Sequence, residues 1–429
     1  MNSSVYRARR AALRKAVGRG PILIHGLDPA PRNYRDNIYP YRQGSHFLYY
    51  TGLAQPGLSL LMLDHRELLF AARATMDDIV WSGATPSPEE LAKQAGLDGA
   101  KAPGQMPDVI AHTLPSFRGA PNGTPSEKLV DAIAAQRSIK TPAELDEIES
   151  AIAISDAMHR AAMSMARPGA TEGEVARRLS SFALTQAYPP IVTVRGEILH
   201  NQAYTNPLQR GQLLLVDAGA EAASGYASDI TRVTPVGGRF STMQRDIYEV
   251  VLRAQLEAIA MIRPGIPYRD VHLFAACVIA QGLIDVGLMK GDAADAVAAG
   301  AHALFFPHGL GHMLGLDVHD MEDLGDVVGY PRSEKRSAQF GLCFLRLAKR
   351  LETGFVLTVE PGIYFIPALI GQWRSEKRHA DFINYAKLAR YRTFGGIRIE
   401  DEIVVTKNGA RVLGPAIPKT VREVERCAS

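Results

Sequence analysis

The sequence predicts two domains, an α/β domain over residues 1–138 and a larger α+β domain over residues 139–429. Three observations carry that reading. The chain has 429 residues and is 46% hydrophobic, more than one small core can use. Its first third alternates short apolar runs with polar stretches, the pattern of strands mixed with helices. A strong helix start at Thr141 then opens a section of helices that turns strand-rich from Ile191 onward.

In the first domain, residues 21–25, 58–63 and 67–72 read as strands. Residues 86–95 and 126–137 read as helices, the second opened by a Ser cap. Residues 99–125 are rich in Pro and Gly and read as loop. Arg7, Arg9, Arg10, Arg14 and Lys15 are mixed with Ala and Leu; they read as the polar face of a first helix and not as a targeting arm. Thr141-Pro142-Ala143-Glu144 has the form of a capping box with Pro at the first helical position. The helix runs to about Met165, with Ile148, Ile152, Ser155 and Met158 near one face. Arg167-Pro168-Gly169 stops it, and Thr171-Glu172-Gly173-Glu174 opens another. Residues 213–216 and 230–233 flank a loop containing Gly225 and predict a hairpin. Helices follow at 243–262 and 268–286, and strands at 355–359 and 403–406. The pentapeptide Arg-Ser-Glu-Lys-Arg occurs twice between Arg332 and Asn384; with no longer period around it, it reads as chance on solvated faces.

Charged residues make up 22% of the chain and the net charge is +3, a balance that gives no electrostatic reason to expect nucleic acid. No apolar run approaches the ~20 residues that span a bilayer, so no membrane partner is expected. The first residues lack the apolar core of a signal peptide. Cys277, Cys343 and Cys427 lie far apart and form no CxxC pair, which speaks against a disulfide framework or a thiolate metal site. The expected location is a reducing cytoplasm.

Four acids lie at the ends of apolar runs, where an unpaired carboxylate is costly. Asp217 follows the run 213–216, and Asp229 precedes Ile230-Thr231 on the returning strand, so both can face one side of a hairpin. Each alone also reads as a strand-end cap. Glu360 ends the run from Phe355 and precedes Pro361-Gly362. Arg398 and Glu400 are two apart and share a face if they lie on a strand, with a salt-bridged surface strand as the alternative. His308, His312 and His319 sit among Gly309, Gly311 and Gly315. Their spacing could face one side of a helix, but the glycines argue for a loop or broken helix where backbone comes close to something bound. His308 and His312 have HExxH spacing, yet position 309 is Gly and the catalytic Glu is missing, so that zinc motif is rejected.

In chain order Asp217, Asp229, His312, Glu360 and Glu400 read Asp-Asp-His-Glu-Glu. The stretches VDAGAEAASGYASDITR, HGLGHMLGLDVHD, LTVEPGIYF and GGIRIEDEIV, spanning residues 216–404, resemble the dinuclear centre of the pita-bread metallopeptidases, which include methionine aminopeptidase, aminopeptidase P and prolidase. The stretch 39–52, from Tyr39-Pro40-Tyr41 to Tyr50-Thr51-Gly52, resembles the creatinase-like opening domain of aminopeptidase P and prolidase, which methionine aminopeptidases typically lack. The resemblance covers nearly the whole chain. One departure is the loop between the two aspartates, a residue longer around 222–224 than in many relatives and not expected to disturb the ligands.

By this resemblance the five residues hold two divalent metal ions. Asp217 would chelate one, Asp229 and Glu400 would bridge both, and His312 and Glu360 would complete a shell. Carboxylates with one imidazole suit Mn²⁺, with Zn²⁺ or Co²⁺ as alternatives. Glu360 would also move a proton from the attacking water to the leaving nitrogen. His200, His308 and His319 would contact substrate or steady its oxyanion, Arg398 would neutralise carboxylate charge, and Tyr364 would support the site. The implied activity is that of a Xaa-Pro aminopeptidase acting on peptides with proline at the second position. The alternative is a Xaa-Pro dipeptidase (prolidase), suggested by the region of Arg346 and Lys349 and the insertion 366–394. The alternative from another class is a metal-free binding protein, which the intact ligand set opposes. Trp81, in Asp77-Asp78-Ile79-Val80-Trp81-Ser82-Gly83, matches a family tryptophan that reaches into a neighbouring subunit's site. It implies a homodimer or homotetramer; a core tryptophan is the plainer reading.

Overall fold

The computed structural model describes residues 1–109, 111–114 and 124–428. They form two compact units, Met1–Arg137 and Ser138–Ser429.

The first unit is a six-stranded mixed sheet with helices. Its strand order is Gly99–Lys101, Arg66–Phe70, Ser59–Leu63, Ile22–His25, His112–Thr113, Thr124–Pro125. The three longest strands and the helices Pro88–Ala95 and Glu127–Ser138 lie where apolar alternation and Ser caps place them. The stretch read as loop, 99–125, also supplies three short strands, two at the sheet edges and His112–Thr113 between neighbours; its residues 110 and 115–123 lie outside the described residues. Runs of two or three residues carry no readable period.

The reading of the basic N-terminal helix as a solvated face needs correction. The helix is Ser3–Val17, but Arg9 and Arg10 are among its buried residues. Arg10 donates to Glu67 Oε2 at 2.7 Å and to the carbonyls of Tyr50, Ala95 and Gly96 at 2.8, 3.1 and 3.0 Å. The guanidinium of Arg9 lies 3.8 Å from the centre of the Tyr49 ring. A guanidinium has five donors in a fixed fork, so it can be buried where several carbonyls converge. Sequence position alone does not show that convergence.

The second unit opens with the capping box at Thr141, whose side chain accepts from Glu144 N, and the helix Pro142–Met165 buries Ile148, Ile152, Ser155 and Met158. An antiparallel sheet follows, ordered Ile191–Thr193, Leu213–Ala218, Ile230–Pro235. The helices Thr242–Met261 and Tyr268–Asp285 pack on each other. The late strands form a three-stranded sheet, Val356–Val359, Asp401–Val405, Ala410–Val412, and a two-stranded one, Gly362–Tyr364 with Gly396–Arg398. Each strand of that last pair has three residues and begins with Gly, which hides it from pattern reading. Both Arg-Ser-Glu-Lys-Arg copies are exposed. Among the described residues, no helix is long and apolar enough to cross a membrane.

Candidate metal centre

The hairpin sets the first two acids. Asp217 pairs with Thr231 across the sheet, and Asp229 lies two residues before Thr231, so the two aspartates share a face. Both are buried. The Tyr188 hydroxyl lies 2.5 Å from Asp217 Oδ1 and 2.5 Å from Asp229 Oδ1. One hydroxyl carries one proton, so it cannot satisfy two ionised carboxylates at once. Tyr188 escaped the sequence reading because a lone Tyr before Pro189-Pro190 carries no motif.

The histidine-bearing segment is neither helix nor free loop. Residues 310–314 run beside the strand Val356–Val359. Thr358 N donates to His312 O at 3.0 Å, Leu314 N to Val356 O at 3.1 Å, and Glu360 N to Leu310 O at 2.8 Å. Gly311 is required by this approach, since a Cβ there would lie 2.0 Å from Thr358 O. The glycines therefore serve close backbone contact within the protein itself. His312 and Glu360 are thereby set side by side, with His312 Nε2 3.7 Å from Glu360 Oε1.

His312 Nδ1 donates to Met313 O at 3.0 Å. A carbonyl only accepts, so the Nδ1 proton is committed and Nε2 faces Asp229 Oδ2 at 3.2 Å. Two lone-pair atoms at that distance need a proton or a cation between them. Glu400 accepts from Thr231 Oγ1 at 2.6 Å. Among the described residues, Asp229, His312 and Glu400 form a group whose ligand atoms all lie within 4.8 Å of one another.

Arg398 links the acids to a second layer. It pairs with Asp217, donates from Nε to Thr231 Oγ1 at 3.0 Å and from Nη1 to the Tyr364 hydroxyl at 2.9 Å. Tyr364 and His308 Nε2 are 2.9 Å apart, and His308 Nδ1 is 2.8 Å from Gly309 O. His308 therefore donates from Nδ1 and accepts from Tyr364 at Nε2. Both ring nitrogens are engaged within the protein, and His308 and Tyr364 form one hydrogen-bonded unit with Arg398. Burial, then Arg398, pushes His308 down to about 3. Burial and Arg398 also lower His200.

A cavity of about 390 Å³ collects Asp217, Asp229, His312, Glu360, Glu400, His200, His308, His319 and Arg398, together with Leu199, Phe344 and Arg346, to which the sequence reading gave no place in the site. Tyr364 is fully buried and bonded to the wall residues His308 and Arg398. Trp81 belongs to the other unit, on the short helix Met76–Ser82, and is 87% exposed; it is not a core tryptophan.

Four carboxylates here face one guanidinium. Burial pushes Asp217 up to about 6, with Arg398 opposing and Asp229 adding. Burial pushes Glu360 up to about 7 against His312 and Arg398. Glu400 is held well above the usual carboxylate range by burial, then by Asp229, Glu360 and Asp217. Burial opposes charge on His312, but the hydrogen bond and charge of Asp229 outweigh it and lift the ring to about 9. A site in which four carboxylates outnumber the cationic side chains, and whose His312 Nε2 offers a lone pair once its proton is displaced, fits hard divalent cations.

The pH dependence follows in sign. Each of these folded values lies above the unfolded one, so the metal-free protein is stabilised by protonation and loses that stability as pH rises. In stripped protein these four groups should therefore lower stability from about pH 5 to about pH 8, while the depressed His308 and His319 act in the opposite sense, so the site's share is read as the difference from stripped Glu400→Gln. Cation affinity should rise over the same window, because the ligands must shed protons. Thermal denaturation of chelated wild type and chelated Glu400→Gln at both ends checks this, and a wild type that loses no more stability with pH than the variant would refute it.

Asp229, His312 and Glu400 form a candidate metal-binding cluster, with Asp217 and Glu360 on the same cavity, as a metal-dependent hydrolase requires. Residues 146–407 match metallopeptidase family M24, and residues 6–118 match the aminopeptidase P N-terminal domain. A probable Xaa-Pro aminopeptidase of Metarhizium acridum is 34% identical over 440 residues, spanning 96% of this chain and 85% of that protein. The structure of Escherichia coli aminopeptidase P with the inhibitor Pro-Leu is similar at a TM-score of 0.84 and 29% identity, over 100% of this chain and 98% of that one. The aminopeptidase PepP of Pseudomonas aeruginosa gives 0.82 and 29% over the same shares. The chain belongs to metallopeptidase family M24, in its aminopeptidase P branch.

Proposed function

We propose that this protein is a Xaa-Pro aminopeptidase, releasing the first residue from peptides with proline second. The observation that carries the reading is the cavity in which two aspartates, two glutamates and His312 converge. The relatives are named as aminopeptidases, which supports this reading over the dipeptidase one. A bond to proline is a tertiary amide without an N–H, so a site for it must grip the substrate elsewhere.

Asp217, Asp229, His312, Glu360 and Glu400 would hold two divalent ions, with Mn²⁺ favoured by the hard oxygen donors. Bound there, the ions lower the pKa of water and polarise the scissile carbonyl. Glu360, between His308 and His312 and partly open to the cavity, would take a proton from the attacking water and return it to the departing proline nitrogen. His319 is held neutral, chiefly by burial and by His312, and His200 is likewise biased to its neutral form. Both line the cavity and can hydrogen-bond a substrate carbonyl without adding charge. Arg398 keeps Asp217 and the Tyr364 hydroxyl in place.

Hydrolysis of Gly-Pro beside a longer Xaa-Pro-Yaa peptide, with and without Mn²⁺, tests the proposal. Metal-dependent cleavage of the longer peptide is expected, and cleavage of the dipeptide alone would establish a prolidase instead. His308 and Tyr364 act as one unit in this scheme. His308→Ala and Tyr364→Phe should each lower kcat about tenfold, the scale of one hydrogen bond to a charged network. The double variant should lose no more than either single one; additive losses would separate their roles.

The active assembly is proposed to be a homodimer or homotetramer with shared sites. The helix Met76–Ser82 supports this, since it buries no residue and exposes Met76, Ile79, Val80 and Trp81. Trp81→Ala should raise KM for proline substrates while leaving the melting temperature unchanged. A fully active monomer in sedimentation at assay concentration would exclude shared sites. A cytoplasmic location is proposed on the free state of Cys277, Cys343 and Cys427, and cell fractionation tests it.

A further inference from the structure

We propose that Glu172 is a positioning residue for His200, acting as a buried staple across the base of the loop that carries it. Glu172 opens the helix Glu172–Ser180 and is 0% exposed. Its helical neighbour Glu174 performs the capping-box role with Thr171, so Glu172 is free of that task. Glu172 Oε1 accepts from Val194 N at 2.8 Å, and Oε2 accepts from Asn206 N at 2.9 Å. The Asn206 side-chain amide donates to both oxygens, at 3.0 and 2.9 Å. Glu172 N in turn donates to Asn206 O at 3.0 Å.

Val194 and Asn206 are the two ends of an excursion that leaves the strand Ile191–Thr193 and returns before Pro207. Between them lie Leu199 and His200, which line the cavity. The loop base also abuts the strand that bears Arg398, for a Cβ on Gly196 would lie 2.7 Å from Gly396 O. A buried carboxylate is tolerated only where hydrogen bonds replace water. Here those bonds come from both ends of one loop, and the Glu172 N–H ties the helix N-terminus to the Asn206 carbonyl as well. Glutamine cannot replace it, because its amide nitrogen would present donors to a donor at one of the two ends.

The inference rests on the reading that His200 meets the substrate, and the test separates the two. His200→Ala should lower kcat/KM, and Glu172→Gln should lower it by roughly ten- to a hundredfold, the scale of a small misplacement. Glu172→Gln added to His200→Ala should cost little more. Hydrogen exchange of residues 194–206 should quicken in Glu172→Gln, while the helix Pro142–Met165 and the strand Leu213–Ala218 exchange as in the parent. Wild-type kcat/KM in His200→Ala would overturn the role of His200, and with it the catalytic consequence drawn here. An impaired His200→Ala beside a Glu172→Gln with unchanged exchange and kcat/KM would overturn the role of Glu172 alone. Exchange that quickens throughout the unit, or a loss fully repeated in the His200→Ala background, would reduce Glu172 to a structural residue. Should Glu172→Gln fail to fold, Asn206→Ala, which removes only the side-chain donors, should shift loop exchange and kcat/KM in the same direction. No change in either would overturn the proposal.

Discussion

Replacing Glu400 by Gln, or Asp229 by Asn, is expected to abolish turnover and stoichiometric metal binding together. The ligand atoms of Asp229, His312 and Glu400 lie within 4.8 Å of one another. Each substitution keeps the shape of the side chain, removes one negative charge and turns an acceptor into a donor. Loss of a group that merely supports a metal ligand costs about 10–100-fold, so loss of a ligand should exceed that range. Misfolding would mimic the effect, but the sign of the electrostatics distinguishes the two. Glu400 in the metal-free protein is held well above its usual range by burial and by Asp229, Glu360 and Asp217. Relieving that repulsion should leave the stripped variants at least as stable as stripped wild type. Metal content after dialysis, kcat/KM and the chelated melting temperature are the three readouts. Wild-type kcat/KM at full metal content in either variant would falsify the ligand assignment.

What could be read in advance follows the range of the interactions involved. The capping box at Thr141 and the hairpin around Gly225 are local, and they formed where local chemistry places them. Asp217 and Asp229 could be placed on one face because a strand period of two survives in the sequence. The approach of Glu360 and His312 could not be so derived, because it depends on residues 310–314 lying along a strand more than forty residues later. Only the ordered set of motifs pointed to it. Tyr188, Thr231 and Glu172 stayed invisible for the same reason: each acts through one buried hydrogen-bonding group aimed at a distant partner. The basic helix misled in the opposite sense, since Arg10 is buried by carbonyls from two other segments and by the Glu67 carboxylate from a third. The histidines were found as residues, but their tautomers were not, and these assign His308 to a hydrogen-bonded wall and turn His312 Nε2 toward Asp229.

Glu360→Gln should lower kcat by about 10²–10⁴-fold, the contribution of a placed general acid–base, while changing KM little. Glu360 is partly open to the cavity and sits between two imidazoles, 3.8 Å from His308 Nδ1 and 3.7 Å from His312 Nε2. Burial lifts it to about 7 in the metal-free protein, and a cation beside it would bring that value down. Glutamine keeps one oxygen for a cation but cannot carry a proton; Glu400, assigned to bridge two ions, would need both of its oxygens, which sets Glu400→Gln apart. As a base the group must be ionised, so the wild-type rate should fall as pH drops through its working pKa, and that limb should vanish in the variant. The nature of the leaving group sharpens the test. A proline nitrogen must be protonated to depart, whereas an alkoxide leaving group needs that help far less. The deficit of Glu360→Gln should therefore shrink when the scissile amide is replaced by an ester in an otherwise matched substrate. An equal deficit on amide and ester, with metal lost from the variant, would assign Glu360 to holding the cation and to no proton transfer.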